Sequence, residues 1–455
     1  MDKKLSLVII SDDSSIQTAI ESINKNGVRG VFICNVNNEC LGIVMDSDIR
    51  RALLHEFDMY ASVKTIMNTS PFVIGNDVSQ TERKRRLVES NKVLVPIVDN
   101  RNRVVDYLYL PDILYDVAGK ESPKDNGSSF PEKILIIGGA GYIGSFLVDK
   151  LLKEGFKIRV LDLLLYGKEP ISMFLEDPGF EFIRGDCRDE KTLSNVLDNI
   201  DTVIHLGEIV GDQACKINES VTIDINYSAS HKIVDQCLKS KVRRFIFTSS
   251  CSVYGSNEHE VNEKSELNPV SLYARCKIES EKVVLSYDYD HFCPTVLRLS
   301  TVHGLSYRQR FDLVVNLLTI KALVDKKIDI FGGDQWRPFI SISDACEGIL
   351  SVLQSPCEKV KNQIFNLGDS LENYKLLDIG TIIQNLLPEV DVKIIKDQAD
   401  KRSYRVSFDK IMQTLEFKAN NKIKNSIKDM ICTYREDRSF SNYNDSRFHN
   451  HFALK

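Results

Sequence analysis

The sequence has no C-x-x-C pair and no cluster of cysteine and histidine at metal-ligand spacing, although it carries 11 cysteines. Thiols scattered without a pattern predict neither a disulfide framework nor a metal site, and they point to a reducing compartment. A signal-peptide core is missing as well: Met1-Asp2-Lys3-Lys4 precedes only a short apolar run before Ser11-Asp12-Asp13. No apolar run reaches the length that spans a bilayer. The expectation is a soluble, cytoplasmic protein. Nor is there an excess of one charge. Basic residues number 59 and acidic residues 64, a net charge of −5 in 455 residues, which argues against nucleic acid or an anionic membrane as the main partner. The one dense basic run, Arg83-Lys84-Arg85-Arg86, sits in a helical context and is expected to be a solvated face.

What is present is length enough for two to four domains, each with its own core, and one highly specific stretch. Lys133-Ile134-Leu135-Ile136-Ile137 is a continuous apolar run of strand length, which suits the centre of a parallel sheet covered on both faces. Gly138, Gly141 and Gly144 follow at G-x-x-G-x-x-G spacing and lead through Tyr142 and Ile143 into a helix. Glycines there allow a tight turn and a close approach of backbone N–H groups to a pyrophosphate, which the positive end of the helix also favours. A dinucleotide is the ligand this predicts.

A second apolar strand, Lys157-Ile158-Arg159-Val160-Leu161-Asp162, ends in the acidic residue that a ribose needs. Asp162 would accept from the adenosine ribose hydroxyls and repel a 2′-phosphate, so NAD is expected rather than NADP. Asp186, in Gly185-Asp186-Cys187 after the strand Phe180-Glu181-Phe182-Ile183, falls where the adenine ring would lie.

Residues 1 to 118 contain an internal repeat of helix, strand pair and helix. Gly30-Val31-Phe32-Ile33-Cys34 and Leu41-Gly42-Ile43-Val44-Met45 in the first copy are answered by Val93-Leu94-Val95-Pro96-Ile97-Val98 and Val104-Val105-Asp106-Tyr107-Leu108-Tyr109 in the second. This α+β unit resembles a tandem CBS pair, in particular the pair attached to sugar nucleotidyltransferases. The resemblance implies nucleotide ribose contacts at Asp48 and Asp112. The hydroxyl residue usual three positions earlier is replaced by Met45 and Tyr109, so a structural or dimerising role is expected ahead of adenine-nucleotide binding. Residues 119–132, rich in Gly, Ser, Pro, Lys and Asp, are expected to be a linker.

From Lys133 onward strands alternate with helical segments, including Asp201-Thr202-Val203-Ile204-His205-Leu206-Gly207 and Arg244-Phe245-Ile246-Phe247-Thr248-Ser249-Ser250. The pattern predicts an α/β, Rossmann-type, doubly wound parallel sheet with ligands at the C-terminal strand ends. Beyond about residue 305, short elements such as Ile328-Asp329-Ile330-Phe331 and Gln363-Ile364-Phe365-Asn366-Leu367 suggest a small lid that runs to 432. Residues 433–455, polar and aperiodic, are expected to be a disordered tail.

Tyr273 and Lys277 stand four apart in a helical pattern and so share one face. An ammonium near a phenol favours the phenolate, which makes Tyr273 a candidate proton acceptor. With the glycine turn, Thr248-Ser249-Ser250-Cys251-Ser252-Val253-Tyr254-Gly255 and this pair, residues 133–432 resemble an extended short-chain dehydrogenase/reductase of the NAD-dependent sugar epimerase/dehydratase family. The resemblance implies Ser250, Tyr273 and Lys277 as catalytic residues, with Tyr273 and Lys277 also touching the NAD cofactor. Arg298-Leu299-Ser300-Thr301-Val302-His303-Gly304 and Arg308-Gln309-Arg310-Phe311-Asp312-Leu313-Val314-Val315-Asn316 are similar to a branch that acts on nucleotide-activated heptoses. Arg308, Arg310, Arg337 and Arg402 are the expected diphosphate contacts of a nucleotide-diphosphate sugar, since guanidinium forks match phosphate oxygens, and the resemblance adds Asn316 as a substrate contact.

Three departures from the family pattern matter. Where sugar 4,6-dehydratases carry Asp-Glu after the residue matching Ser250, this sequence has Cys251 and Ser252, poor substitutes as acid and base. His303 stands where tyrosine is usual. Glu208 replaces a small apolar residue beside the cofactor. The expected function is a homodimeric 4-epimerase of a nucleotide-diphosphate sugar. Its alternatives are a C4 dehydrogenase or ketoreductase and, in another class, a CBS-containing regulatory protein without turnover.

Overall fold

A computed structural model of the chain describes residues 5–26, 28–54, 58–90, 92–110, 133–287, 289, 291–395, 402–438 and 440–451. The expected linker and Asp112 therefore lie outside the described residues. The chain divides into two compact units, residues 1–126 with 286–288 and residues 127–285 with 289–455.

The first unit is the repeat seen in the sequence. Ile9–Ser11 pairs parallel with Gly30–Cys34, which pairs antiparallel with Cys40–Met45. Ile74–Gly75, Leu94–Val98 and Val104–Tyr109 do the same. The two registers correspond pair for pair, Gly30 opposite Met45 answering Leu94 opposite Tyr109, and a bulge follows Ile33 in one hairpin and Ile97 in the other. Asp48 sits in the first turn of helix Asp46–Leu54 and its carboxylate accepts from the Met45 N–H at 3.0 Å, so it caps its own helix. The basic run lies on helix Gln80–Glu89, where Arg85 and Arg86 reach Glu82 at 2.7 and 2.9 Å on an exposed surface.

The second unit is built on a seven-stranded sheet. Its strands are β1 (Lys133–Ile137), β2 (Lys157–Asp162), β3 (Phe180–Arg184), β4 (Thr202–His205), β5 (Arg244–Ser250), β6 (Cys293–Leu299) and β7 (Gln363–Leu367). They lie in the order β3-β2-β1-β4-β5-β6-β7, every neighbouring pair parallel. Ile134, Leu135 and Ile136 are fully buried, which is why β1 shows no alternation of polar and apolar residues. The order reverses between β1 and β4, and that crevice is where ligands of such sheets bind. β7 corrects the expectation that Gln363–Leu367 belongs to the lid: a run too short to betray its partner joins the large sheet at its edge.

Helix α1 (Tyr142–Lys153) follows β1, and α2 (Leu272–Leu285) leads into β6. The lid has its own core, in which Phe311, Ile328, Ile379 and Ile427 come together around α3 (Val314–Val324) and α4 (Ile423–Asp437). Lys327–Phe331 pairs there with Asp391–Ile395.

The disordered tail expected from Thr433 is a second correction. Thr433 lies inside α4, and the chain beyond it folds back onto Phe311. The rings of Phe440, Tyr443 and Phe448 lie 5.3, 6.5 and 5.2 Å from that of Phe311. The Phe311 N–H donates to the Phe448 carbonyl at 2.9 Å. Asn450 Nδ2 donates to the Val210 carbonyl at 3.0 Å, which ties the chain end to the loop after β4. Three aromatics without helical or strand period left no pattern to read, yet each fills one side of a single ring.

Candidate active site

The glycine turn is forced by close packing. Gly138 has φ +86°, and a Cβ there would lie 2.6 Å from Gly207 at the end of β4; a Cβ on Gly144 would lie 2.3 Å from the Gly138 carbonyl oxygen. At Gly141 a Cβ would meet only that oxygen, at 3.3 Å. Ser145 N–H makes the first helical bond, to the Gly141 carbonyl at 2.9 Å, and Gly141 caps α1 without a side chain. The N–H groups of Tyr142, Ile143 and Gly144 thus open the helix as donors for an anion. The Tyr142 hydroxyl faces inward and donates to the Gly304 carbonyl at 2.8 Å.

Asp162, at the end of β2, accepts from the Ala140 and Leu164 N–H groups at 3.0 and 2.8 Å. Burial raises its carboxyl, and the two backbone bonds oppose that rise. Each oxygen keeps a lone pair for a ribose hydroxyl. Asp186 is held by a fork from Arg188, Nη2 to Oδ2 at 2.6 Å, which together with its backbone bond keeps it below the usual carboxylate range.

Ser250 ends β5, and its Oγ accepts from the Ser252 N–H at 3.1 Å. Tyr273 and Lys277 share one face of α2, both buried, with Nζ 5.8 Å from the centre of the Tyr273 ring. The Ser250 hydroxyl lies close enough to the Tyr273 phenol to act on it, so the structure brings the three expected side chains together. Lys277 Nζ donates to the Thr248 carbonyl and forms an ion pair with Glu208. Both side chains of that pair are sealed, at 4% and 1% exposure. Burial, then the Glu208 carboxylate, hold the Tyr273 phenol well above its ordinary value; the nearby Ser250 hydroxyl works the other way.

The expected arginines fall into two groups. Arg337 Nη1 donates to the carbonyls of Trp336 and Arg402, and Arg402 pairs with Asp212 at 2.9 Å just beyond β4. Arg308 and Arg310 lie on the side of the glycine turn. Arg310 forks onto Asp312 at 2.9 and 2.8 Å. The Arg308 guanidinium stacks 3.9 Å over Tyr166, four residues past Asp162, and its Nε and Nη2 have no hydrogen-bond partner among the described residues although the residue is 3% exposed. Burial and the neighbouring Arg310 bring it down to about 10. A buried cation with two spare donors, beside a helix start with spare N–H groups, fits a diphosphate.

Asn316, expected as a substrate contact, has its amide engaged within the protein. Fully buried, it accepts from the Gly304 N–H at 2.9 Å and donates to the Tyr142 hydroxyl and the Arg310 carbonyl at 3.2 and 3.0 Å. Its amide organises the segment that carries the arginines. His303 is also buried, pushed down to about 3 by burial, and so stays neutral. Cys251 is 1% exposed, its thiol pushed up by burial.

Three features had no signal of their own in the sequence: the Glu208–Lys277 pair, the Arg308–Tyr166 stack, and Asn226. The Asn226 side chain accepts from the Ile209 N–H at 2.8 Å and donates to the Ile209 carbonyl at 2.7 Å, inside a π-turn over Asp224–Ser228. Such turns cluster at functional sites. This one fixes the residue next to Glu208.

The chain matches the family described as NAD dependent epimerase/dehydratase over residues 134–368, and a CBS domain over residues 1–55, the first half of the repeat. An uncharacterised UDP-glucose epimerase of Bacillus subtilis strain 168, YtcB, is 32% identical over 265 residues, 56% of this chain and 82% of the relative. A dTDP-glucose 4,6-dehydratase of an Actinoplanes species is 26% identical over 322 residues, 68% of this chain and 99% of the relative. Among solved structures, the UDP-glucuronic acid 4-epimerase of Bacillus cereus in complex with UDP-glucuronic acid and NAD is 26% identical, with a TM-score of 0.59 over 65% of this chain and 96% of that one. With the parallel sheet, the glycine turn, and Ser250 beside the buried Tyr273 and Lys277 already in place, these matches settle the family: the chain belongs to the NAD-dependent epimerase/dehydratases, with a CBS domain at its N-terminus.

Proposed function

We propose that the protein is a 4-epimerase of a nucleotide-diphosphate sugar, which oxidises C4 and re-reduces it from the opposite face. The observation that carries this reading is the buried Tyr273, beside Ser250 and one helical turn from the buried Lys277, whose ammonium lies 5.8 Å from its ring centre. NAD, when bound, would supply the hydride acceptor for oxidation and the hydride donor for re-reduction. Ser250 holds the sugar oxygen, Tyr273 takes its proton during oxidation and gives it back on reduction, and no net oxidant is used. The N–H groups that open α1 hold the cofactor's diphosphate and Asp162 takes its ribose; Arg308, expected from the sequence to meet the substrate, is stacked on Tyr166 past the Asp162 strand and is reassigned to the cofactor's diphosphate. Arg337 and Arg402 face the substrate's diphosphate.

Cys251 and Ser252 favour an epimerase over a dehydratase. Removing water across C5 and C6 needs an acid and a base, and a buried thiol raised above its ordinary value is neither. A second reading, a C4 ketoreductase, is favoured by burial and Glu208, which together favour the protonated Tyr273 that donates to a ketone. In the N-terminal unit, Asp48 is engaged in capping its helix, which supports a structural role for the repeat over adenine-nucleotide sensing.

The test is Tyr273→Phe assayed against UDP-, GDP-, dTDP- and CDP-sugars, with products read by mass and NMR. Turnover should fall about 10²-fold or more, with NAD binding close to that of the wild type. Near-normal turnover in this variant would sink the mechanism.

A further inference from the structure

Glu208 lies where β1 and β4 part, next to Gly207, whose Cα would touch a Cβ on Gly138 of the glycine turn. Its place is fixed from behind, because Asn226 clamps both backbone groups of Ile209. From there its carboxylate reaches Lys277 across the crevice. The lysine is held on its other side by the Thr248 carbonyl at the end of β5. A small apolar residue at position 208 would leave that ammonium with the carbonyl alone.

The pair has an electrostatic consequence. Whichever partner holds the shared proton, Lys277 and Glu208 together carry no net charge. The pull that a lone ammonium exerts on a neighbouring phenol is thereby cancelled. Besides Lys277 on its own helix, the described groups that act on Tyr273 include Glu208 after β4, Cys215 on helix Asp212–Ile217, Ser250 at the end of β5, and Arg310 before α3. Glu208 is the one carboxylate among them. Burial pushes its own carboxyl up, and Lys277 pulls it down.

We infer that Glu208 is a positioning residue for proton transfer: it orients Lys277 and balances its charge, and so sets the pH at which Tyr273 becomes a base. The inference rests on reading Tyr273 as the proton-transfer group, so the test separates the two. In the full-length protein, the absorbance of the Tyr273 phenolate is titrated as the difference between each protein and its Tyr273→Phe counterpart, over the pH range in which both stay folded. In Glu208→Gln, ionisation should begin about one pH unit or more lower than in the wild type. Glu208→Asp should return it towards the wild-type position. Thermal unfolding supplies a readout that needs no titration: Lys277→Met alone leaves a buried carboxylate unpaired, so adding Glu208→Gln to it should raise Tm rather than lower it further. An unmoved titration in Glu208→Gln, or a double variant less stable than Lys277→Met, would overturn the inference even if Tyr273→Phe is inactive. Full turnover in Tyr273→Phe would instead overturn the catalytic reading beneath it.

Discussion

The Asp162 carboxylate braces the glycine turn, accepting from the Ala140 N–H at 3.0 Å with one oxygen while the other accepts from Leu164. The residue expected to choose the cofactor therefore also shapes the loop that binds it. Asp162→Ala should weaken NAD binding by about 10- to 100-fold, the scale of hydrogen bonds to a charged group, about 1.5–3 kcal/mol. Calorimetric titration with NAD and NADP checks this, and the wild type should prefer NAD.

Arg308 separates affinity from stability. Its guanidinium is buried with two donors unmatched among the described residues, so Arg308→Met should leave Tm unchanged or raise it, as removal of a buried unpaired charge does. The same change should weaken NAD binding about tenfold or more. A fall in Tm with unchanged affinity would return Arg308 to a purely structural role.

Acid stability should depend on Asp312. Burial acts to raise its carboxyl, but the Arg310 fork outweighs burial and brings it down to about 2. A carboxyl depressed in the fold stabilises it above the unfolded value, near 4, and that stabilisation is lost as pH falls through about 2. Thermal unfolding followed from neutral pH down to about 2 should show Asp312→Asn less stable by about 2 kcal/mol at neutral pH and closer to wild type in acid.

The chain end is part of the fold. Phe448, half-buried, packs on Phe311 and its carbonyl accepts the Phe311 N–H; deletion of a fully buried aromatic costs about 3–5 kcal/mol, the upper end for this site. Phe448→Ala should lower Tm by several degrees in a scan of the full-length protein. Because Asn450 holds the Val210 carbonyl two residues past Glu208, ending the chain after Asp437 should also lower turnover.

What the sequence disclosed and what it hid divide along a physical line. The Ile134 run, the glycine spacing, Asp162 and the Tyr273–Lys277 offset are local patterns, each needing only a strand or one helical turn to take on meaning, and the structure assembles them as expected. The repeat was legible for the same reason, since its two registers correspond pair for pair. Asn316 and the arginines were harder. Their residue types suggested phosphate recognition, but only the tertiary arrangement spends the Asn316 amide on Gly304 and Tyr142 and sends Arg308 to Tyr166. Gln363–Leu367 and the aromatics of the chain end depend on partners more than 60 residues away. Glu208 was visible as a departure, yet its direction is decided by Asn226 and Thr248, which no spacing links to it.

The most direct test of the central claim follows the C4 hydrogen. Nucleotide-diphosphate sugars deuterated at C4 are incubated with the purified protein without added cofactor, and products are read by mass and NMR. A 4-epimer that keeps its deuterium, with no loss of water, is the predicted result, because Tyr273 returns the proton and the hydride never leaves the site. Accumulation of NADH together with a ketosugar, or a 6-deoxy-4-keto product, would contradict it.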